Sequence, residues 1–209
     1  MSPEGATRSR QRRGAELRRH ILFVAKDVFL ETGYERASMD TVAARAGTSK
    51  RSLYAHFESK DKLFLAVLDL IRELYLVKLK TPDAYAGDPA EAVTLFCGRF
   101  LQLMTWEAQV RTCRLCIAEA ERLPGSSSAY FDAIFATTQD ILTAYLAEHY
   151  TLDAAPLAED LLSRTVLPRL FRTLLNVEDA LKDDPDEQSL PTAVDLPTIR
   201  QLVSATLPT

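Results

Sequence analysis

The chain has 209 residues, 47% hydrophobic and 26% charged, with a formal net charge of −4 and only seven glycines. That composition supports one or two domains with a real core, and so little glycine argues against sandwiches, barrels and glycine-rich nucleotide loops. No apolar run approaches the roughly 18 residues of a membrane span, and the basic start lacks the uninterrupted apolar stretch of a signal peptide. Three cysteines form no disulfide framework. A cytoplasmic protein with reduced thiols and no membrane partner is therefore expected.

The charge is split. Residues 1–62 hold 13 Lys/Arg against 8 Asp/Glu, a net +5, and residues 63–209 hold 12 against 21, a net −9. A small cationic unit that meets a polyanion, joined to a larger anionic unit with another task, fits this asymmetry.

In chain order, residues 1–14 read as a basic arm without periodicity, either a minor-groove arm or a solvated tail. A DNA-binding-sized unit is expected over 15–62. Its first helix runs from about Ala15 to Thr32, with Leu17, Ile21, Val24, Ala25, Val28 and Phe29 at steps of three and four, and Gly33 ends it. Ser38 caps a short helix over "MDTVAARA", with Asp40 in its first turn. Gly47 stops that helix, Ser49 caps "KRSLYAHF", and Ser59 caps a long fourth helix running toward Lys80. This fourth helix carries the chain from the cationic unit into the acidic one, 63–209, so a rigid rod joins them.

The remainder reads as helical. Asp88, Pro89 and Glu91 start a helix to about Glu107. Another spans about Gln109 to Arg122 and ends at Pro124-Gly125, and the serines at 126–128 precede a helix to about His149. An apolar stripe over 157–175 contains Pro168, which predicts a kink or break there. Residues 183–197 are acidic and proline-rich, a loop long enough to be mobile or functional. A last short helix covers about Thr198 to Leu207.

Three short helices, the second and third joined by a tight glycine turn, describe a helix-turn-helix unit. Such units set the first turn of the second helix, here Ser49, Lys50, Arg51 and Ser52, against base edges in the major groove. Arg51 can donate two hydrogen bonds to guanine. The Tyr54 hydroxyl and a His56 ring N–H can reach phosphate, with His56 also readable as structural. Lys60 adds charge beside a helix N-terminus that already favours an anion. Phe57 is expected inside and Tyr54 outside.

The stretch "ETGYERASMDTVAARAGTSKRSLYAHFESKDKLF" resembles the DNA-binding domain of the tetracycline-repressor (TetR-type) regulators. The likeness is carried by Gly33-Tyr34, Ser38, Val42-Ala43, Ala46-Gly47, Ser49, Leu53-Tyr54, His56-Phe57, Ser59-Lys60 and Leu63, within residues 15–68. "RLCIAEAERLP" resembles the start of the ligand-domain core in a multidrug-regulator-like subgroup. The resemblance implies an all-α homodimer: an N-terminal three-helix helix-turn-helix domain, then a helical ligand-binding and dimerisation bundle. It implies double-stranded operator DNA as one partner and a small-molecule effector as another. The DNA contacts it implies are Ser49, Lys50, Arg51, Ser52, Tyr54, His56 and Lys60, with Thr41 as a phosphate contact. Pro168 and the 183–197 loop depart from the family pattern.

Aromatic and sulfur-bearing side chains of the acidic unit, Phe96, Phe100, Met104, Trp106, Tyr130, Phe131, Phe135 and Phe171, divide between ordinary core and an apolar ligand pocket. Cys113-x-x-Cys116 lacks the four ligands of a zinc site and the strand context of a thioredoxin motif. It reads as buried packing, with a redox-responsive regulator as the alternative. No nucleotide loop, metal cluster or nucleophile with a supporting base is present, so neither enzyme nor cofactor is expected. The function expected is a sequence-specific DNA-binding regulator, a repressor released by a small apolar or amphipathic ligand.

Overall fold

The structure is a computed structural model that describes residues 3–151 and 153–207. Twelve α-helices are described: α1 (Pro3–Arg36), α2 (Met39–Arg45), α3 (Lys50–His56), α4 (Lys60–Lys78), α5 (Pro89–Thr105), α6 (Glu107–Ala118), α7 (Pro124–Phe131), α8 (Thr137–His149), α9 (Ala154–Thr165), α10 (Leu167–Leu174), α11 (Leu190–Ala193) and α12 (Leu196–Thr206). A π-turn, Asp132–Ala136, lies between α7 and α8. The described residues hold no strand, only an isolated bridge between Trp106 and Leu181.

The chain folds as two units. Unit 1 comprises Met1–Ile71 together with Ala118–Ala129, and unit 2 comprises Arg72–Ile117 with Tyr130–Thr209. Unit 1 thus runs past the expected boundary at 62 and takes in a second, distant segment. Residues 3–14, expected as a flexible basic arm, instead continue the first helix, whose backbone is helical from Pro3 onward. Residues 1 and 2 lie outside the described residues.

In unit 1, Gly33 adopts φ 77°, ψ 167° and takes the chain out of the first helix, where a side chain would be strained. Three serines then start three helices in succession. Ser38 Oγ accepts from Thr41 N at 3.0 Å, Ser49 Oγ from Ser52 N at 3.1 Å and Ser59 Oγ from Lys62 N at 3.2 Å. Each satisfies one orphan donor, worth about 1 kcal/mol. Gly47, at φ 62°, makes the turn between α2 and α3. Ile21, Val28, Val42, Leu53, Leu63 and Val67 are buried. So is an aromatic trio: Phe29 stacks on Tyr34 with centroids 5.8 Å apart, and Phe64 meets both edge-on at 5.1 and 5.2 Å. That geometry suits the ring quadrupoles.

Unit 2 is organised on α5, which is buried nearly all round as only a central helix can be. Asp88 caps it, accepting from Glu91 N at 2.8 Å. Gly98 faces α12: a Cβ built there would stand 2.6 Å from Leu196 Cδ2, so the missing side chain permits the close approach. The 157–175 stripe breaks where Pro168 predicted, with α9 ending at Thr165 and Pro168 in the first turn of α10. Two expectations are corrected. The serines at 126–128 lie inside α7 rather than before it. Residues 183–197 are tied down rather than free, since Lys78 pairs with Asp184 at 2.8 Å and Lys80 with Glu187 at 2.7 Å. The buried Arg99 donates to Pro185 O at 3.3 Å, and Gln102 Nε2 to Asp186 O at 3.1 Å and Ser189 Oγ at 2.9 Å. Arg99 Nε also donates to Lys78 O at 3.2 Å, which satisfies a terminal carbonyl of α4. Asp195 caps the last helix, accepting from Thr198 N at 3.1 Å.

Candidate nucleic-acid interface and small-molecule pocket

On α3 of unit 1, Leu53 is fully buried and Phe57 just beyond it is 3% exposed, whereas Tyr54 is 49% exposed. The guanidinium of Arg18 lies 5.0 Å from the Phe57 ring centroid, closing that side. The opposite face is the presented one. Arg51 is exposed and makes no hydrogen bond or ion pair among the described residues. Lys50 is exposed and pairs with Asp40 at 2.5 Å, a surface pair of little energetic weight that a phosphate can displace. Ser52 and His56 are half-buried, with the His56 ring 6.4 Å from that of Phe57. Ser49 is exposed but spends its hydroxyl on the cap. Thr41 is exposed on α2, its Oγ1 2.8 Å from Ser38 Oγ.

Lys60 requires a correction. Its ammonium donates to the carbonyls of Tyr34 at 2.9 Å, Ala37 at 3.1 Å and Glu35 at 3.3 Å, and lies 4.2 Å from the Tyr34 ring centroid. Three N–H groups meet three carbonyls, so the side chain holds the turn after Gly33 instead of offering a free charge to phosphate.

A residue that the sequence did not mark completes this corner. The guanidinium of Arg122 lies 4.1 Å from the Tyr34 ring centroid and is paired with Glu119 at 2.8 Å. The Tyr34 hydroxyl donates to Asp61. Burial first, and the bond to Asp61 second, push the phenol up to about 12, so it stays a donor at neutral pH. Arg122 reaches Tyr34 across 88 residues of sequence, and no local pattern signals such a pairing.

Unit 2 contains a cavity of about 190 Å³ lined by Phe100, Phe131 and Phe135. Phe131 and Phe135 stack at 5.7 Å, and Phe100 meets Phe135 edge-on at 5.9 Å. The other sequence candidates are corrected. Phe96, Met104 and Tyr130 are core, with Tyr130 accepting from Gln109 Nε2 at 3.2 Å. Trp106 lies under the Lys78 ammonium at 5.7 Å, away from the cavity lining. Phe171 is 58% exposed on α10 beside Leu175 at 71%. Residues the sequence reading missed, Gln139, Glu159, Leu162, Ser163, Val166 and Leu167, complete the wall. Their steps of three and four give helical faces, but nothing local tells which face borders a void. A larger groove of about 620 Å³ runs past Arg164, Arg169 and Arg172. Its arginines are already paired, with Asp160 at 2.9 Å and with Glu178 at 2.5 and 3.5 Å.

Cys97, Cys113 and Cys116 are buried thiols. Burial pushes the Cys97 and Cys116 thiols up to about 12 and raises that of Cys113. Redox sensing works through accessible thiolates, so the geometry gives the redox alternative no support. Among the described residues, no cluster of three or more His, Cys, Asp or Glu could hold a metal, and no helix is long and apolar enough to cross a membrane.

Known proteins share this arrangement. The sequence model for bacterial regulatory proteins of the tetR family matches residues 21–67, which contain α2, α3 and the start of α4. The model for the C-terminal domain of AefR-like transcriptional repressors matches residues 91–155. The transcriptional activator FasR of Mycolicibacterium smegmatis is 48% identical over 67 residues, covering 32% of this chain and 31% of its own. The match thus spans about a third of that relative's length. Over the whole fold, a crystal structure of a TetR-family regulator from Mesorhizobium loti aligns with TM-score 0.72 at 21% identity, covering 92% of this chain and 97% of that one. A flavonoid-responsive regulator, FrrA, aligns with TM-score 0.69 at 25% identity, covering 90% and 97%. The two sequence models follow one another in family order, span more than half of the chain between them, and fall on the helix-turn-helix unit and the bundle; the chain belongs to the tetR family of bacterial regulatory proteins.

Proposed function

We propose that the protein is a ligand-responsive transcriptional repressor that grips operator DNA with α3 as a homodimer and releases it when a small apolar or amphipathic molecule binds unit 2. The observation that carries the DNA reading is the outward face of α3. Arg51 stands there without a partner among the described residues and Tyr54 is half-exposed, on the helix such units insert into the major groove. Arg51 reads a guanine edge. Lys50, Ser52, Tyr54, His56 and Thr41 contact backbone phosphates and set register, and Ser49 acts mainly by capping.

Homodimerisation is supported by Leu167, Phe171, Leu175 and Val177, which are exposed on and just after α10 and need a second copy to cover them. The operator is then roughly palindromic, with half-site centres about 34–36 Å apart or a small multiple of that. The repressor sense is supported by the AefR-like match over residues 91–155; the FasR match, to an activator, covers only about a third of this chain. The ligand reading is supported by the aromatic cavity. Phe131 ends α7 and Phe135 lies within the π-turn that continues it, and π-turns recur at functional sites.

The test is genomic footprinting of the purified protein, followed by fluorescence anisotropy on the recovered operator. The expected result is nanomolar, salt-dependent binding to a palindrome that weakens when an effector is added. Because coupling is reciprocal, saturating operator must weaken effector binding by the same factor. Equal effector affinity with and without operator would end the allosteric reading.

A further inference from the structure

The polar side chains at the aromatic cavity are few, and their chemistry is selective. α9 contributes Glu159, Leu162, Ser163 and, one residue past its end, Val166, spaced as one helical face. Phe131, Phe135 and Gln139 approach from the end of α7, the π-turn and α8, each four residues from the last. The only formal charge on the lining is the carboxylate of Glu159. That carboxylate makes no ion pair or hydrogen bond among the described residues; the adjacent Asp160, by contrast, is paired with Arg164 at 2.9 Å. Three phenyl rings and one exposed carboxylate, unpaired among the described residues, therefore border a void of about 190 Å³, without a cation to compensate.

Resting on the ligand-responsive reading above, we propose that this cavity takes a flat aromatic organic cation and that Glu159 selects the charge. The electron-rich faces of Phe100, Phe131 and Phe135 attract a cationic ring, and the carboxylate supplies the opposite charge at its edge. A neutral ring of the same shape gains the stacking but not the charge terms. An anionic one is repelled by Glu159.

The experiment titrates the full-length protein, without DNA, with three fluorescent probes of one shape: N-methylacridinium, neutral acridine at mildly alkaline pH, and acridine-9-carboxylate. N-methylacridinium is expected to bind about 10-fold tighter than acridine, and the carboxylate weakest. Glu159→Gln should weaken N-methylacridinium by about 5-fold and leave acridine unchanged; Glu159 is exposed and has no partner among the described residues, so this variant folds. Phe135→Ala should weaken both by about 10-fold. If acridine matches N-methylacridinium and Glu159→Gln changes neither, charge selection is overturned while the aromatic site stands. If no probe binds, or Phe135→Ala leaves binding untouched, the cavity is not the effector site and the proposal falls with it. The wider reading is then judged separately by operator release.

Discussion

Arg51 and Arg99 carry the same side chain to opposite extremes. Arg51, in unit 1, stands in solvent with no partner among the described residues, whereas Arg99, in unit 2, is 3% exposed and holds Lys78 O, Pro185 O and Gln102 Oε1. On the proposed function the guanidinium left unsatisfied at the surface reads DNA, while the one satisfied by carbonyls in the interior is a structural clasp. The same division separates Lys50 from Lys60. Local serine caps start the short helices of unit 1, while α5 of unit 2 is tied to the 183–189 stretch by side-chain bonds across 84 to 87 positions.

The largest expected way to break this contrast is alkali. The buried thiols Cys97 and Cys116 rise from an ordinary 9.0 to about 12, while Tyr34 in unit 1 rises from 10.0 to about 12. A folded-state pKa above the unfolded one means the folded form keeps its proton longer. Stability from the thiols is therefore whole below pH 9 and is lost as pH climbs from about 9 toward 12. Urea midpoints measured across that range should begin to fall near pH 9, and Cys97→Ala should flatten the decline. A midpoint independent of pH up to about 11 would contradict the burial assigned to these thiols.

Next comes Arg99→Met, which strands three buried acceptors and should lower unfolding free energy by about 3 kcal/mol. Operator affinity of the folded fraction should hold. Arg51→Ala should do the reverse, costing about 1–3 kcal/mol of binding on the operator, less on scrambled DNA, and nothing in the urea midpoint. Lys60→Met sharpens the comparison further. It should cost about 1–2 kcal/mol of stability from the freed carbonyls and leave the slope of log K against log salt unchanged. A slope flattened by about 0.9 would instead return Lys60 to the phosphate contacts. Smallest is Tyr54→Phe, expected to weaken operator and scrambled DNA alike by about 0.5–1 kcal/mol.

What was legible in the sequence follows this contrast. Caps at Ser38, Ser49, Ser59 and Asp88, the turns at Gly33 and Gly47, and the break at Pro168 all depend on residues within a turn or two of each other, so a one-dimensional pattern displays them. The tie of the 183–189 stretch to α5, the capture of the Lys60 ammonium by three carbonyls, and the pairing of Arg122 with Tyr34 depend on partners 23 to 88 positions apart. Apolar periodicity marked Phe96 and Phe100 equally. Only packing separates the core ring from the one beside the void.

The make-up of unit 1 from two pieces of chain, Met1–Ile71 and Ala118–Ala129, bears on how such a protein can be recombined. A DNA-reading module cut out at Ile71 would leave the Tyr34 ring without the guanidinium of Arg122 that covers it at 4.1 Å. A graft onto a foreign bundle would inherit whatever that bundle placed there. Exchange of operator specificity between relatives is therefore cleanest by rewriting the exposed residues of α3, and exchange of whole modules succeeds only when the short 118–129 stretch travels with the first.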